Sequence, residues 1–109
     1  MTQASAPAIA VVAATYNRAG LLPRLIAALE AQRDISYEVV IVDDCSPDDT
    51  ASVLNGLAAR AGFPLTVIRQ DQNAGPAAAR NRGWRATTAP LVAFTDDDCV
   101  PQPDWLAEL

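Results

Sequence analysis

Apolar positions along this chain follow two patterns that alternate. Four short runs are rich in β-branched or small apolar residues: Ala8–Ala14 (AIAVVAA), Tyr37–Val42 (YEVVIV), Leu65–Arg69 (LTVIR) and Leu91–Thr95 (LVAFT). All but the third are nearly continuous. Runs of this length without polar alternation predict strands buried on both faces, as in a parallel sheet.

Between these runs the apolar residues recur at helical spacing. Leu21, Leu22, Leu25, Ile26 and Leu29 form one stripe. Pro23 fits the first turn of that helix, where an amide has no intrahelical partner. Val53, Leu54, Leu57 and Ala61 form a second stripe after Ser46-Pro47-Asp48-Asp49, which reads as a turn and helix start. Gly62 and Pro64 end it. A third helix is expected from Gly75-Pro76 to about Ala86, and Pro90 precedes the fourth strand. The order β-α-β-α-β-α-β predicts an α/β fold, a parallel sheet with right-handed crossovers. The expected strand order is 3-2-1-4, with helices on both faces and the second and fourth strands flanking the first.

Pro103-Asp104-Trp105-Leu106 reads as a further helix start just before Leu109. A helix of one turn is marginal. Residues 1–109 are therefore expected to be the first half of a longer domain, or a truncated gene product. The fourth strand would then lie at an edge. Leu91, Val92, Ala93 and Phe94 would offer unpaired backbone and an apolar face, so self-association is expected.

Composition narrows the function. The chain has 109 residues, enough for one core; half are apolar and 19% charged, which is a globular balance. The net charge is −5, so a sequence-independent nucleic-acid binder is a poor fit. All eight basic residues are Arg, and His is absent. Mechanisms that need a Lys or His side chain from this chain are excluded. Cys45 and Cys99 make neither a disulfide framework nor a four-ligand zinc site. Met1–Pro7 lacks the basic-then-apolar pattern of a secretion signal, and no apolar run is long enough to span a bilayer. A cytoplasmic location is expected.

In open parallel sheets, ligands bind beyond the carboxyl ends of the strands. The four strands are followed there by Thr15-Tyr16-Asn17-Arg18, Asp43-Asp44-Cys45-Ser46, Gln70-Asp71-Gln72-Asn73-Ala74-Gly75 and Asp96-Asp97-Asp98-Cys99. Five carboxylates converge on that edge: Asp43, Asp44, Asp96, Asp97 and Asp98. Two like charges about 6 Å apart repel by roughly 3 kcal/mol at an effective dielectric of 20. Compensation must come from Arg18, Arg80, Arg82 or a divalent cation. Oxygen ligands favour Mg²⁺ or Mn²⁺, which are commonly held by one or two carboxylates plus ligand phosphates. A metal–diphosphate site is the expectation.

Each feature also has a plainer explanation. Asp48 and Asp49 read as a helix cap. Three consecutive acids exceed what a turn or cap needs. Asn73-Ala74-Gly75 reads as a turn feeding a helix, and Arg80 and Arg82 suit a solvated helix face as well as a site. Trp84 and Trp105 read as core or cover. The thiols follow carboxylates, which disfavours a thiolate nucleophile.

The motifs AVVAATYNR, EVVIVDDCSPDDT, QNAGPAAARNRGW and LVAFTDDDCVPQPDWL, in this order, resemble the N-terminal half of glycosyltransferase family 2. The resemblance runs from Ile9 to Leu109. It implies a Rossmann-like GT-A fold and a mostly inverting transfer from a nucleoside-diphosphate sugar to an acceptor hydroxyl. Thr15, Tyr16 and Asn17 match the loop around the nucleotide base. Asp44 matches the acid that accepts a hydrogen bond from the base, and Asp43 would shape that loop. Asn73 and Gly75 match the loop before the third helix, and Arg80 a basic residue near the diphosphate. Asp96-Asp97-Asp98 matches the D-x-D motif. Asp98 would ligate Mn²⁺ or Mg²⁺, with Asp96 or Asp97 on the ribose or a metal-bound water. The general base lies downstream of the matched region in that family, so no catalytic residue is expected before Leu109. The acceptor, whether polysaccharide, lipid or protein, is unspecified. Two rivals stand beside this. A receiver domain also binds Mg²⁺ with acids after strands but needs a Lys, which is absent. A non-catalytic nucleotide-binding fragment would bind without turnover.

Overall fold

The computed structural model describes residues 6–109; the first five positions of the Met1–Pro7 stretch discussed above lie outside the described residues. The elements run β1 (Ile9–Thr15), a short 3-10 turn (Ala19–Leu21), α1 (Leu22–Glu30), β2 (Tyr37–Asp43), α2 (Thr50–Arg60), β3 (Leu65–Arg69), α3 (Pro76–Arg85) and β4 (Leu91–Phe94). The expected boundaries hold to within about a residue for every strand. All pairings are parallel, and the sheet order is β3-β2-β1-β4.

Side chains alternate between sheet faces along each strand, and this sorts the apolar runs into two layers. Ile9, Val11, Ala13, Val39 and Ile41 pack with Leu22, Leu25, Ile26 and Leu29 of α1 and Leu54 of α2. Val12, Val40 and Val42 face the other way, onto Ala79 of α3. Helices therefore cover both faces, and β1 and β2 are buried on both sides, as their continuous apolar runs require. Leu22, Leu25 and Leu29 are fully buried, and each contributes roughly 1.5–3 kcal/mol of transfer free energy.

β4 departs from that pattern. Its run is as apolar as that of β1, yet Leu91 and Phe94 are exposed while Ala93 is buried. α3 packs over β1 and β2, so the edge strand receives cover only where it meets β1. A continuous apolar run therefore does not by itself secure burial on two faces.

The helix ends follow from local chemistry. Gly75 sits at φ 96°, a conformation that glycine adopts without steric cost, and Pro76 opens α3. At the start of α2, Asp49 occupies the cap position but makes no side-chain bond. Asp48 does this work instead, accepting the Thr50 amide at 3.0 Å and the Thr50 hydroxyl. These bonds to the ionised form hold the Asp48 carboxyl below its ordinary range.

Residues 103–108 form a run of turns rather than a helix, and Leu106 is buried. Buried Gln32 clamps this segment: its amide donates to Gln102 O at 2.6 Å, and its oxygen accepts the Leu106 amide at 3.0 Å. Trp105 packs half-buried against the core, as expected. Trp84 does not. It is 42% exposed, and Arg85 lies 5.4 Å from its ring. α3 buries Ala79 and Gly83, so the next position is turned outward.

Gly83 sets the closeness of α3 to the sheet. A Cβ there would lie 2.5 Å from Val12 Cγ1 and 3.2 Å from Val42 Cγ2, both in the packed core. Gly83→Ala is expected to destabilise the fold by about 1–3 kcal/mol, as overpacking does. Gly56→Ala, in α2 with only the Arg60 tip 3.9 Å away, is expected to be neutral or stabilising by about 0.4–1 kcal/mol. Urea denaturation of both variants measures the contrast; equal midpoints would show that α3 yields easily.

A second expectation concerns pH. Burial, and then the negative charge of Glu30, push the Tyr37 hydroxyl above its usual value of 10.0, while it donates to Leu29 O. The folded state holds this proton more tightly than the unfolded state. The contribution is therefore full below the unfolded pKa and is lost as pH rises through the folded one. Tyr37→Phe is expected to flatten the alkaline limb of a stability–pH profile.

Candidate functional site

The carboxyl ends of β1, β2 and β4, together with the start of α3, enclose a cavity of about 350 Å³. Its walls are Ala14, Thr15, Tyr16, Arg18, Asp44, Pro76, Arg80, Asp96, Asp97 and Asp98. Eight of the residues given a candidate role from sequence thus meet at one place: Thr15, Tyr16, Arg18, Asp44, Arg80, Asp96, Asp97 and Asp98. Asn17, Asp43, Asn73 and Gly75 stand behind the wall and hold it.

Asp43 ends β2 with its carboxylate fully buried. Arg69, its register partner on β3, donates to Oδ2 at 2.7 Å. Ser46 donates both its amide, at 3.0 Å, and its hydroxyl to Oδ1. The Ser46 oxygen then accepts the Asn17 amide at 2.8 Å. One buried carboxylate therefore fixes both the loop after β2 and the loop after β1. Asn17 and Cys45, in those two loops, hold left-handed conformations at φ 55° and 62°. Left-handed backbone is costly outside glycine, and these bonds offset that cost.

Asp44 reaches across to the loop before α3. Its two oxygens accept the amides of Ala74 at 3.0 Å and Gly75 at 2.9 Å. Asn73 donates to the Asp44 carbonyl oxygen at 3.3 Å. Each carboxylate oxygen keeps a second lone pair for a ligand. The acid is 3% exposed, and it lines the cavity while shaping its rim.

The three acids after β4 divide by direction. Asp97 is buried and bound inward: Thr15 Oγ1 donates to Oδ2 at 2.8 Å and Arg18 to Oδ1 at 3.2 Å. Asp96 and Asp98 are exposed. Arg18 lies 3.7 Å from Asp98, and Arg80 lies 3.9 Å from Asp96. Asp96, Asp98 and Cys99 offer ligand atoms that all lie within 4.8 Å of one another, which could hold a metal ion. The cavity wall therefore sets four carboxylates against two guanidinium groups, a formal excess of two negative charges. That excess, on oxygen donors, suits one hard divalent cation.

Two sequence expectations change here. Arg82 does not compensate the acids; it donates to Gln70 at 2.8 Å and borders a separate groove with Arg85. Two residues along a helix is a turn of about 200°, so Arg80 and Arg82 point apart. Asp43 does not join the convergent acids, because Arg69 holds it behind the wall. Arg69 and Ser46 were not singled out from sequence. Each stands at or just after a strand end in the sequence, but the pairing of Arg69 with Asp43 comes from the β2–β3 register. Ala14 and Pro76, which line the cavity with backbone and ring, carried no side-chain chemistry to single them out.

Comparison with known proteins places the chain. The model of Glycosyl transferase family 2 matches residues 10–109. The succinoglycan biosynthesis protein ExoO of Rhizobium meliloti is 37% identical over 103 residues, 94% of this chain and 29% of that protein. A mannosyltransferase from Pyrobaculum calidifontis, solved with GDP-Man and Mn²⁺, superposes with a TM-score of 0.85 at 32% identity, covering 94% of this chain and 31% of that one. S. aureus TarS 1-349 in complex with UDP-GlcNAc gives 0.83 at 28% identity, covering 92% and 29%. The chain belongs to glycosyltransferase family 2, and its sheet order and helices are those of the GT-A fold. It spans about a third of the length of these relatives. No helix among the described residues is long and apolar enough to cross a membrane.

The division of the acids is testable through stability. Asp43→Ala leaves Arg69 and Ser46 without their buried partner and is expected to destabilise by about 1–3 kcal/mol. Asp98→Asn alters an exposed acid and is expected to stay within about 0.5 kcal/mol of the parent. Matched denaturant curves decide it, and a larger loss for Asp98→Asn would reverse the assignment.

Proposed function

We propose that residues 1–109 form the donor-binding part of a metal-dependent, inverting glycosyltransferase that uses a nucleoside-diphosphate sugar. The observation that carries this is the cavity at the strand ends, where Asp96 and Asp98 are exposed and only loosely paired with Arg80 and Arg18 while Asp97 is tied inward. The family membership supports it. So do the neighbours whose structures hold GDP-Man with Mn²⁺ and UDP-GlcNAc.

The roles follow from chemistry. Tyr16, Thr15 and the Asp44 rim take the nucleoside, with the free lone pairs of Asp44 accepting from the base. Asn17, Asp43, Asn73 and Gly75 keep that rim in shape. Asp98 and Asp96 hold Mn²⁺ or Mg²⁺ against the diphosphate. The cation supplies positive charge where negative charge grows on the leaving diphosphate. Arg80 adds a fixed positive charge on the α3 side, and Arg18 on the β1 side. Asp97 keeps the strand end in register with the Thr15 loop. The acceptor hydroxyl needs a general base, which this reading assigns to a part of the enzyme beyond Leu109. The acceptor class, polysaccharide, lipid or protein, is set there as well.

Calorimetric titration with UDP or GDP in the presence of Mn²⁺ tests the reading. Binding is expected for the parent and for Asp48→Asn, whose carboxylate only serves the start of α2. Asp98→Asn is expected to weaken Mn²⁺-dependent binding by about 10–100-fold or more. Equal binding by the two variants would refute the role of Asp98. Product detection with a sugar nucleotide then separates transfer from mere binding.

A further inference from the structure

We propose that Gln32 is a positioning residue of the donor site: from the end of α1 it holds the segment that follows the three acids, and so sets where Asp98 stands. The inference rests on the donor-site reading above and adds to it a residue that does not line the cavity.

Gln32 lies two residues past the end of α1 and is 8% exposed. Its side-chain amide is directed mainly at distant backbone. Nε2 donates to Gln102 O at 2.6 Å and, at a longer 3.3 Å, to Ala28 O, while Oε1 accepts the Leu106 amide at 3.0 Å. The neighbouring Arg33 amide donates to Pro103 O at 3.0 Å. Residues 102–106 are thus gripped at three points by the end of α1, although they belong to no helix or strand. The grip needs one group that both donates and accepts, and a primary amide supplies both functions.

The grip matters because of where the acids sit. β4 ends at Phe94, and Asp96, Asp97 and Asp98 lie in the span 95–101, between that strand and the clamped segment. The front of the span is tied to β1, through Thr95 N to Val12 O at 3.2 Å and through the bond of Thr15 to Asp97. Its back is not. Among the described residues, no hydrogen bond joins 98–101 to any other part of the fold, and the Cys99 amide turns back only to Asp96 O. Asp98 is therefore held from its two ends, by Asp97 before it and by Gln102 four residues on. Its ion pair with Arg18, at 3.7 Å, is too long to replace either anchor. A group that ligates a cation must keep its place to about 0.5 Å. Gln102 and Trp105 also border a groove with Asp96 and Arg80, so the clamped segment and the cation side of the site share one wall.

The nucleoside side is built differently. Arg69 and Ser46 on Asp43, and the Asp44 bonds to Ala74 and Gly75, fix it without Gln32. Loss of the clamp therefore loosens the cation side and leaves the nucleoside side in place.

The test compares the parent with Gln32→Met, which has similar length and neither hydrogen bond. Tyr37→Phe removes a hydrogen bond at the opposite end of β2 from the site and is the control for lost stability alone. UDP affinity is measured by calorimetry with Mn²⁺ and with EDTA. The gain in affinity that Mn²⁺ brings is expected to fall about tenfold in Gln32→Met, as for other groups that orient a metal ligand. The affinity in EDTA is expected to match that of the parent, and Tyr37→Phe to match it in both. Sucrose raises the folded fraction without restoring either bond, so it keeps Gln32→Met folded and the lost gain is expected to persist in it. In a Trp84→Phe background, Trp105 emission is expected to shift to longer wavelength in Gln32→Met and to stay in place in Tyr37→Phe. An unshifted Trp105 overturns the proposal. So does a gain that recovers in sucrose, or a loss of UDP affinity that is equal in Mn²⁺ and EDTA, since either marks a merely structural residue. A gain present in the parent and unchanged in Gln32→Met sinks the role of Gln32 alone. A parent that binds UDP no more tightly with Mn²⁺ than with EDTA sinks the donor-site reading, and this proposal with it.

Discussion

The buried Asp43 carboxylate is the interaction on which the geometry of the site depends. It is fully buried at the last position of β2. An isolated charge in such a place costs far more than a small domain can offset, so its partners are obligatory. Arg69 and Ser46 supply them, and each partner carries a structural consequence. Arg69 locks the end of β3 to the end of β2, where the two residues are already in register. Ser46 relays the constraint to the Asn17 amide and so to the loop after β1. Two loops that would otherwise wander are fixed by one charge that never touches the cavity.

Asp44 extends the same logic across the sheet. Asp43 ends β2 and is bonded to Arg69 of β3, while Asp44, the first residue past the strand, lines the cavity and reaches the loop before α3. Its two oxygens gather the amides that precede α3, and Gly75 permits the bend there. Consecutive acids thus do different work: one anchors β3, the other anchors the rim of α3. The acids after β4 repeat the division. Asp97 is bonded to Thr15 on β1, while its neighbours Asp96 and Asp98 stay exposed with only long ion pairs.

This division shows what the sequence could and could not reveal. Strand order, helix faces and the strand end that carries the site were legible, because they follow from apolar periodicity and the handedness of crossovers. The run of three acids identified the place, but not which of them is tied down; that depends on the turn after β4, which brings Asp97 to Thr15 and Arg18. Arg80 and Arg82 looked equivalent in sequence, yet helical phase sends one to Asp96 and the other to Gln70. Arg69 escaped notice because its meaning lies in the register between β2 and β3, which no local pattern encodes. Trp84 was misjudged for a related reason, whereas the uncovered apolar face of β4 at the sheet edge was expected. Apolar character states a preference for cover, while the position of α3 decides who receives it.

The electrostatic balance of the cavity carries a last consequence. Four carboxylates and two guanidinium groups leave two negative charges in excess, so a diphosphate entering alone meets net repulsion. A divalent cation entering alone is drawn to the Asp96–Asp98 pair but leaves both Arg side chains without a phosphate to face. On the proposed donor-site reading, cation and diphosphate together would satisfy both sets of groups. Each would then raise the affinity for the other by the same factor, since coupling between two binding events is reciprocal. The strength of that coupling is set by how firmly the acids are kept apart from the guanidinium groups. Arg18 pairs most closely with the inward Asp97 and only loosely with Asp98, while Arg80 stays at the far limit of an ion pair with Asp96. The fold therefore holds its positive and negative groups side by side at the strand ends, with Asp43, Asp44 and Asp97 each fixed by buried bonds.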